Sequence, residues 1–211
     1  MHVREGQSLR LHSYVVARDY GFAPNPFYGF CTLATCKPEI RRTAKVEDWV
    51  VGTGSKEQDR EGRIVYAMRV SETPSFSEYW KDERFRNKRP NLRGSKKQAF
   101  GDNIYHKDAK TGRWRQQDSH HSLPDGTPNK NNIAHDTRVD RILVGDEYVY
   151  WGGNGPLIPK RFRNYQGHDL CTRRGHKNKF PDKMVNDFIA WLRARDEKGY
   201  CGDPLDWAIS P

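Results

Sequence analysis

Cys31 and Cys36 stand with four residues between them in "DYGFAPNPFYGFCTLATCKPEIRR" (19–42), with Lys37, Arg41 and Arg42 directly behind them. A thiol becomes a nucleophile when a base sits beside it, and neighbouring cations favour the thiolate. The bases on offer are His120 and His121 in "DSHHSLPDG" and His135, with Asp136 as a further acid/base group. The catalytic candidates are therefore Cys31, Cys36, His120, His121 and Asp136. Nothing in the spacing brings them together, and buried, inert thiols are the simpler reading of both cysteines. Structural zinc takes closely spaced ligand pairs. Cys171 and Cys201 are isolated, and His168 and His176 complete no second pair, so no metal is expected.

The same stretch reads better as the wall of a pocket. In "GFAPNPFYG", Pro24 and Pro26 lack donors and Gly21 and Gly29 bracket the segment, which makes it a rigid loop rather than a strand. Such a loop presents Tyr20, Phe22, Phe27 and Tyr28 to a planar ligand. Stacking of a base on an aromatic ring is worth about 1–3 kcal/mol. Asn25, Thr32 and Ser55 could read the edge of a base, and Lys37, Arg41, Arg42 and Lys45 could meet phosphate. "VGTGS" (51–55), with Gly52, and "YWGGNGPLIP" (150–159), with Trp151 and Gly152, are glycine-rich stretches that each follow a strand. Neither has a Walker A ending, and a tight turn explains them equally well. Trp49 is another candidate stacking ring.

Several elements must position these groups. "LHSYVVA" (11–17), "VEDWVVGTG" (46–54) and "RIVYAMRVSE" (63–72) read as strands, the last with Ile64, Tyr66, Met68 and Val70 alternating. "RVDRILV" (138–144) and "EYVYWGG" (147–153) suggest a hairpin turning at Gly145-Asp146. Ser75 followed by Glu78 has the spacing of a capping box for a helix carrying Phe76, Tyr79 and Trp80. A second helix around 181–197 starts after Pro181, stops before Gly199, and repeats Met184, Val185, Phe188, Ile189 and Leu192 along one face. Residues 87–137 are polar and predict long loops. The expectation is one α+β domain over 1–211: a small, strongly curved mixed sheet or barrel, flanked by helices.

Lysine and arginine number 37 against 27 acids, a formal charge of +10. That surplus favours polyanionic partners, nucleotide or nucleic acid. "RFRNKRPNLRGSKK" (84–97) and "RRGHKNK" (173–179) are free of acids and make a nucleic-acid face credible. The N-terminus opens polar and charged, and no run approaches the roughly 20 apolar residues of a membrane helix. With sparse cysteines, this leads to an expectation of a reduced, cytoplasmic protein without membrane contact. No cofactor fingerprint is present, neither Rossmann nor zinc-deaminase.

The ordered strings "SYVVARDYGFAPNPFYGFCTLATCKPEIRR", "VEDWVVGTGS", "IVYAMRVSETPSFSEYW" and "ILVGDEYVYWGGNGPLIP" resemble the nucleotide modification associated domain, type 2, over residues 12–165. That bacterial and phage family is linked to DNA base modification, and the resemblance implies a nucleotide-related role without naming a reaction. "VEDWVV" followed by "IVYAMRV" is also similar to PUA-like domains of the EVE and ASCH kind, with Glu47 where those have glycine. This second likeness implies a small curved barrel that takes a modified base into an aromatic pocket. Three functions stay open: a module binding a nucleotide or a modified base in DNA, an enzyme of base modification using a Cys or His, and a binder of a signalling nucleotide.

Overall fold

The computed structural model describes residues 9–172 and 174–208. Arg173 of the second basic run and the charged opening at residues 1–8 lie outside the described residues. In chain order the elements are β1 (Leu11–Val16), β2 (Cys31–Leu33), α1 (Pro38–Thr43), β3 (Trp49–Gly54), β4 (Ile64–Arg69), α2 (Phe76–Lys81), α3 (Lys96–Ala99), β5 (Tyr105–Lys107), β6 (Trp114–Gln116), α4 (Lys130–Thr137), β7 (Leu143–Gly145), β8 (Tyr148–Tyr150), α5 (Lys160–Arg163), β9 (His176–Lys177), α6 (Asp182–Arg193) and β10 (Gly199–Tyr200).

The central sheet is mixed, six-stranded and open, in the order β10-β8-β4-β3-β1-β9. It does not close into the barrel expected from the sequence. β9 and β10 are two-residue edge strands that each pair with a single neighbour. β1 runs parallel to β3, and β3 antiparallel to β4.

Both faces of the sheet are covered. On one, Trp49, Val51, Ala67 and Val149 pack against Met184, Val185, Phe188 and Ile189 of α6. On the other, Tyr14, Val50, Tyr66 and Met68 pack against Cys31, Leu33 and Ile40. The alternation read along 64–70 holds from Tyr66 onward. A register shift opposite Gly52/Thr53 turns Ile64 to the α6 side instead.

The expected hairpin at Gly145-Asp146 is not formed. β7 pairs with β2 in a sheet of its own, while β8 pairs with β4 and β10 in the main sheet. The chain crosses between sheets here at a glycine whose Cβ would lie 2.7 Å from the Arg69 carbonyl oxygen. Glu47 adopts φ 78, the left-handed conformation that its position requires, and its amide donates to the Val70 carbonyl at 2.8 Å.

The capping box of α2 is present, Ser75 and Glu78 each accepting the other's amide. α6 begins after Pro181 but ends at Arg193, and Gly199 opens β10. The polar region 87–137 holds the β5–β6 hairpin and α4, so it is less loop-like than its composition predicts. Among the described residues no helix is long and apolar enough to cross a membrane.

Candidate active site

Beyond β2 the chain must leave its sheet and enter α1. Cys36 and Lys37 make that corner with consecutive left-handed φ values of 54 and 36, ahead of Pro38. Non-glycine residues rarely adopt this conformation, and each costs of order 1 kcal/mol. The corner holds because both faces of its backbone are pinned. The Cys36 amide donates to Asp136 Oδ1 at 2.8 Å, and the Cys36 carbonyl accepts from Arg41 Nε at 3.0 Å.

The same corner aims the Cys36 thiol at an imidazole. Sγ lies 3.7 Å from His121 Nε2, and the other ring nitrogen, Nδ1, lies 2.8 Å from Asp136 Oδ2. His121 follows β6 and is held by its carbonyl, which accepts from Gln116 Nε2 at 3.1 Å and Asn132 Nδ2 at 2.8 Å. Asp136, on α4, is fully buried, and each of its oxygens has two neighbours. Oδ2 meets His121 and the Tyr105 hydroxyl (3.0 Å), and Oδ1 meets the Cys36 amide and His135 Nδ1 (3.2 Å). The result is a thiol–imidazole–carboxylate line, the geometry by which a thiol is deprotonated and a base is oriented.

Electrostatics agree with this arrangement. Burial alone would push His121 down, but the bonds to Asp136 and Cys36 overturn it and take the imidazole up to about 9. Burial would likewise raise Asp136, yet the His121 hydrogen bond and charge hold its carboxyl below the usual range. The neighbouring His120 is held below the ordinary imidazole range by partial burial and by the His121 charge.

Cys36, His121 and Asp136 also form the group of possible metal ligands among the described residues, their ligand atoms within 4.8 Å of one another. A metal would have to displace protein donors from a carboxylate whose two oxygens are already engaged. The hydrogen-bonded line is the arrangement these donors favour.

The thiol opens into a cavity of about 560 Å³ whose walls include Tyr14, Tyr20, Phe22 and Ile40, with Lys37 and Arg18 as cations. That volume suits a drug-sized ligand. His120 caps one side, its ring 4.6 Å from Tyr20 and 5.3 Å from Phe22. Lys37 Nζ lies 4.9 Å from the Tyr14 ring centroid.

The other sequence-predicted residues are dispersed. Cys31 is fully buried in the core, and burial pushes its thiol far up, away from reactivity. Arg41 is fully buried rather than on a phosphate-facing edge. Its guanidinium donates to the carbonyls of Cys36, Asp136, Val139 and Arg141. Arg42 is exposed and pairs with Glu39. Asn25 and Thr32 are buried and accept from the Nζ of the fully buried Lys88, at 2.6 and 3.1 Å. Trp49 and Trp151 are buried core rings. Gly52 abuts Tyr66, and Gly152, at φ 56, abuts the Asp203 carbonyl, so both serve close packing. Ser55 accepts the Glu57 amide at 3.1 Å and borders a separate polar cavity with Thr53 and Arg163. Phe27 stacks on Trp207. Of the proposed ligand contacts, Tyr20, Phe22 and Lys37 line the main cavity. Sequence reasoning passed over Tyr105 and Gln116, whose contacts to the site come only with the fold.

The family model described as nucleotide modification associated domain 2 matches residues 8–211. The chain belongs to that family. Members of the nucleotide modification associated domain 2 family are thus the frame for reading the thiol, the imidazole and the aromatic cavity together. No curated protein and no solved structure matches the chain.

Proposed function

We propose that the protein is a thiol-dependent enzyme of nucleotide or nucleobase modification, with Cys36 as nucleophile, His121 as its ion-pair partner, general acid and then base, and Asp136 orienting the imidazole. The observation that carries this reading is the 3.7 Å approach of Cys36 Sγ to His121 Nε2, with Nδ1 resting on a buried carboxylate. The family supports a nucleotide-related substrate. So do the aromatic walls and the +10 charge, which suit a planar ring carrying phosphate, free or within DNA.

The His121 imidazolium holds the proton given up by Cys36, and the thiolate attacks an electrophilic carbon, the carbonyl or amidine carbon of a base or of a group carried on it. An S–C bond forms while the π pair moves onto the oxygen or nitrogen. Collapse of the adduct expels the leaving group with its electron pair, and the His121 imidazolium supplies the proton it needs. Water or an amine, deprotonated by His121, then attacks the S-linked intermediate. The C–S bond breaks and the thiol is restored.

Selective alkylation tests this. Iodoacetamide at neutral pH should label Cys36 ahead of the exposed Cys201, as read by peptide mass. His121→Ala should slow that labelling by about a hundredfold, the scale of general-base assistance. Labelling of Cys36 no faster than Cys201, or indifferent to His121→Ala, removes the nucleophile.

A second reading is a PUA-like binding module that holds an extruded base in the same cavity without chemistry, a reading favoured by the basic charge. Under it, Cys36→Ser leaves every activity unchanged. Under the enzyme reading, that substitution abolishes turnover and spares binding.

A further inference from the structure

The loop 19–30 has two sides. Tyr20, Phe22 and Ala23 face the thiol cavity, while Phe27, Tyr28 and Gly29 line a second, smaller cavity of about 240 Å³ together with Lys97, Tyr148 and Tyr200. The second cavity is built of rings. Phe27 and Tyr200 lie 5.4 Å apart, and the Tyr148 hydroxyl fixes the loop by donating to the Pro26 carbonyl at 2.9 Å. Tyr28 is held at φ 61, a conformation a bulky residue adopts only under constraint. Lys97 Nζ stands 4.3 Å from the Tyr200 ring centroid and has no ion-pair partner among the described residues.

A ladder of rings joins the two cavities. Tyr20 stacks on Phe100 at 5.3 Å, Phe100 on Trp207 at 6.3 Å, and Trp207 on Phe27 at 5.6 Å. Phe27 then reaches Tyr200. Tyr20, Phe100, Trp207 and Tyr200 are only half-buried, so their edges meet solvent along this path. Exposed Lys96, which donates to the Trp207 carbonyl at 2.8 Å, and exposed Lys97, beside Phe27 and Tyr200, supply positive charge along this path.

Rings in series with unneutralised cations are what a single polynucleotide strand needs: faces for bases and charge for the backbone. We propose that the second cavity binds a base of a single-stranded polynucleotide whose reacting nucleotide occupies the thiol cavity. This rests on the reading of Cys36 as the reactive centre and makes the substrate a strand rather than a free nucleotide.

The test is fluorescence anisotropy with labelled single-stranded probes of about twelve nucleotides, within the site sizes typical of one such module. One arm uses oligothymidylate, the other oligouridylate; binding of either through this site supports the proposal. The wild-type protein, Tyr28→Gly and Lys97→Ala are compared. Tyr28→Gly relieves the strained φ and removes only the ring, so folding is preserved. It should weaken binding about five- to a hundredfold, the loss of one stacked base. Lys97→Ala should lower the salt slope by about one phosphate equivalent. Binding unchanged in both Tyr28→Gly and Lys97→Ala, or no tighter for a strand than for thymidine monophosphate, overturns the strand site. That failure leaves Cys36 alkylation untouched, whereas a failed alkylation test leaves the strand measurement standing.

Discussion

Replacing Asp136 by asparagine keeps the size of a fully buried side chain and removes its charge. Against burial, which lowers it, the bonds to this carboxylate and to Cys36 together lift His121 to about 9, from an ordinary imidazole near 6.5. Without the carboxylate's share, burial opposes the Cys36 contact alone and the imidazole falls. At about 1.4 kcal/mol per unit, the raised imidazole contributes on the order of 3 kcal/mol to stability, shared between its Asp136 and Cys36 contacts. The sign follows from the direction of the shift. A histidine raised on folding stabilises fully below its unfolded value, so the contribution is present below about pH 6.5 and is lost as pH rises through about 9.

Urea denaturation at about pH 6 and about pH 9.5 reads this directly. Wild type should lose stability across the interval relative to Asp136→Asn, whose profile should be flatter. Lys88 also titrates in this region, burial having brought it down to about 8, but with the opposite slope. It is common to both proteins, so the difference between them isolates the His121 part. Identical pH profiles for the two proteins would refute the coupling on which the site rests. The same variant should slow Cys36 alkylation at neutral pH.

Arg41→Lys keeps the charge but cannot reach the four carbonyls that the guanidinium fork satisfies. It should cost about 2–4 kcal/mol by thermal unfolding and also slow Cys36 alkylation, because Arg41 ties the cysteine corner to α4. Lys88→Met leaves the Asn25 and Phe30 carbonyls and the buried Asp102 without their cation, and should destabilise by about 3–5 kcal/mol in urea. Gly155→Ala would place a Cβ 1.5 Å from the Ile64 carbonyl oxygen, and should lower the soluble, folded fraction sharply by circular dichroism; an unchanged melting curve would show that the strand end can yield.

Much of the secondary structure was legible along the chain. The capping box at Ser75, the Pro181 start of α6, and the apolar runs of β1, β3 and β4 all depend on neighbours within a few residues. Residue type alone also put Cys36, His121 and Asp136 among the chemical candidates, beside Cys31 and His120. Choosing among them was beyond the sequence, because the thiol meets its imidazole across 85 positions. Arg41 has the look of a surface cation beside Arg42, yet the two part completely in burial.

What the sequence determined by itself is therefore local: backbone periodicity, turn chemistry and helix ends are set by sterics and hydrogen bonds between near neighbours. What only the tertiary structure decided is which distant segments meet. It split β7 from β8 between two sheets, left the main sheet open, and buried Arg41 as an anchor. It also brought the cysteine corner, the loop after β6 and α4 to one point. Those choices depend on how separate apolar faces bury one another and on where buried polar groups find partners, and neither is written in the spacing of residues along one strand or helix.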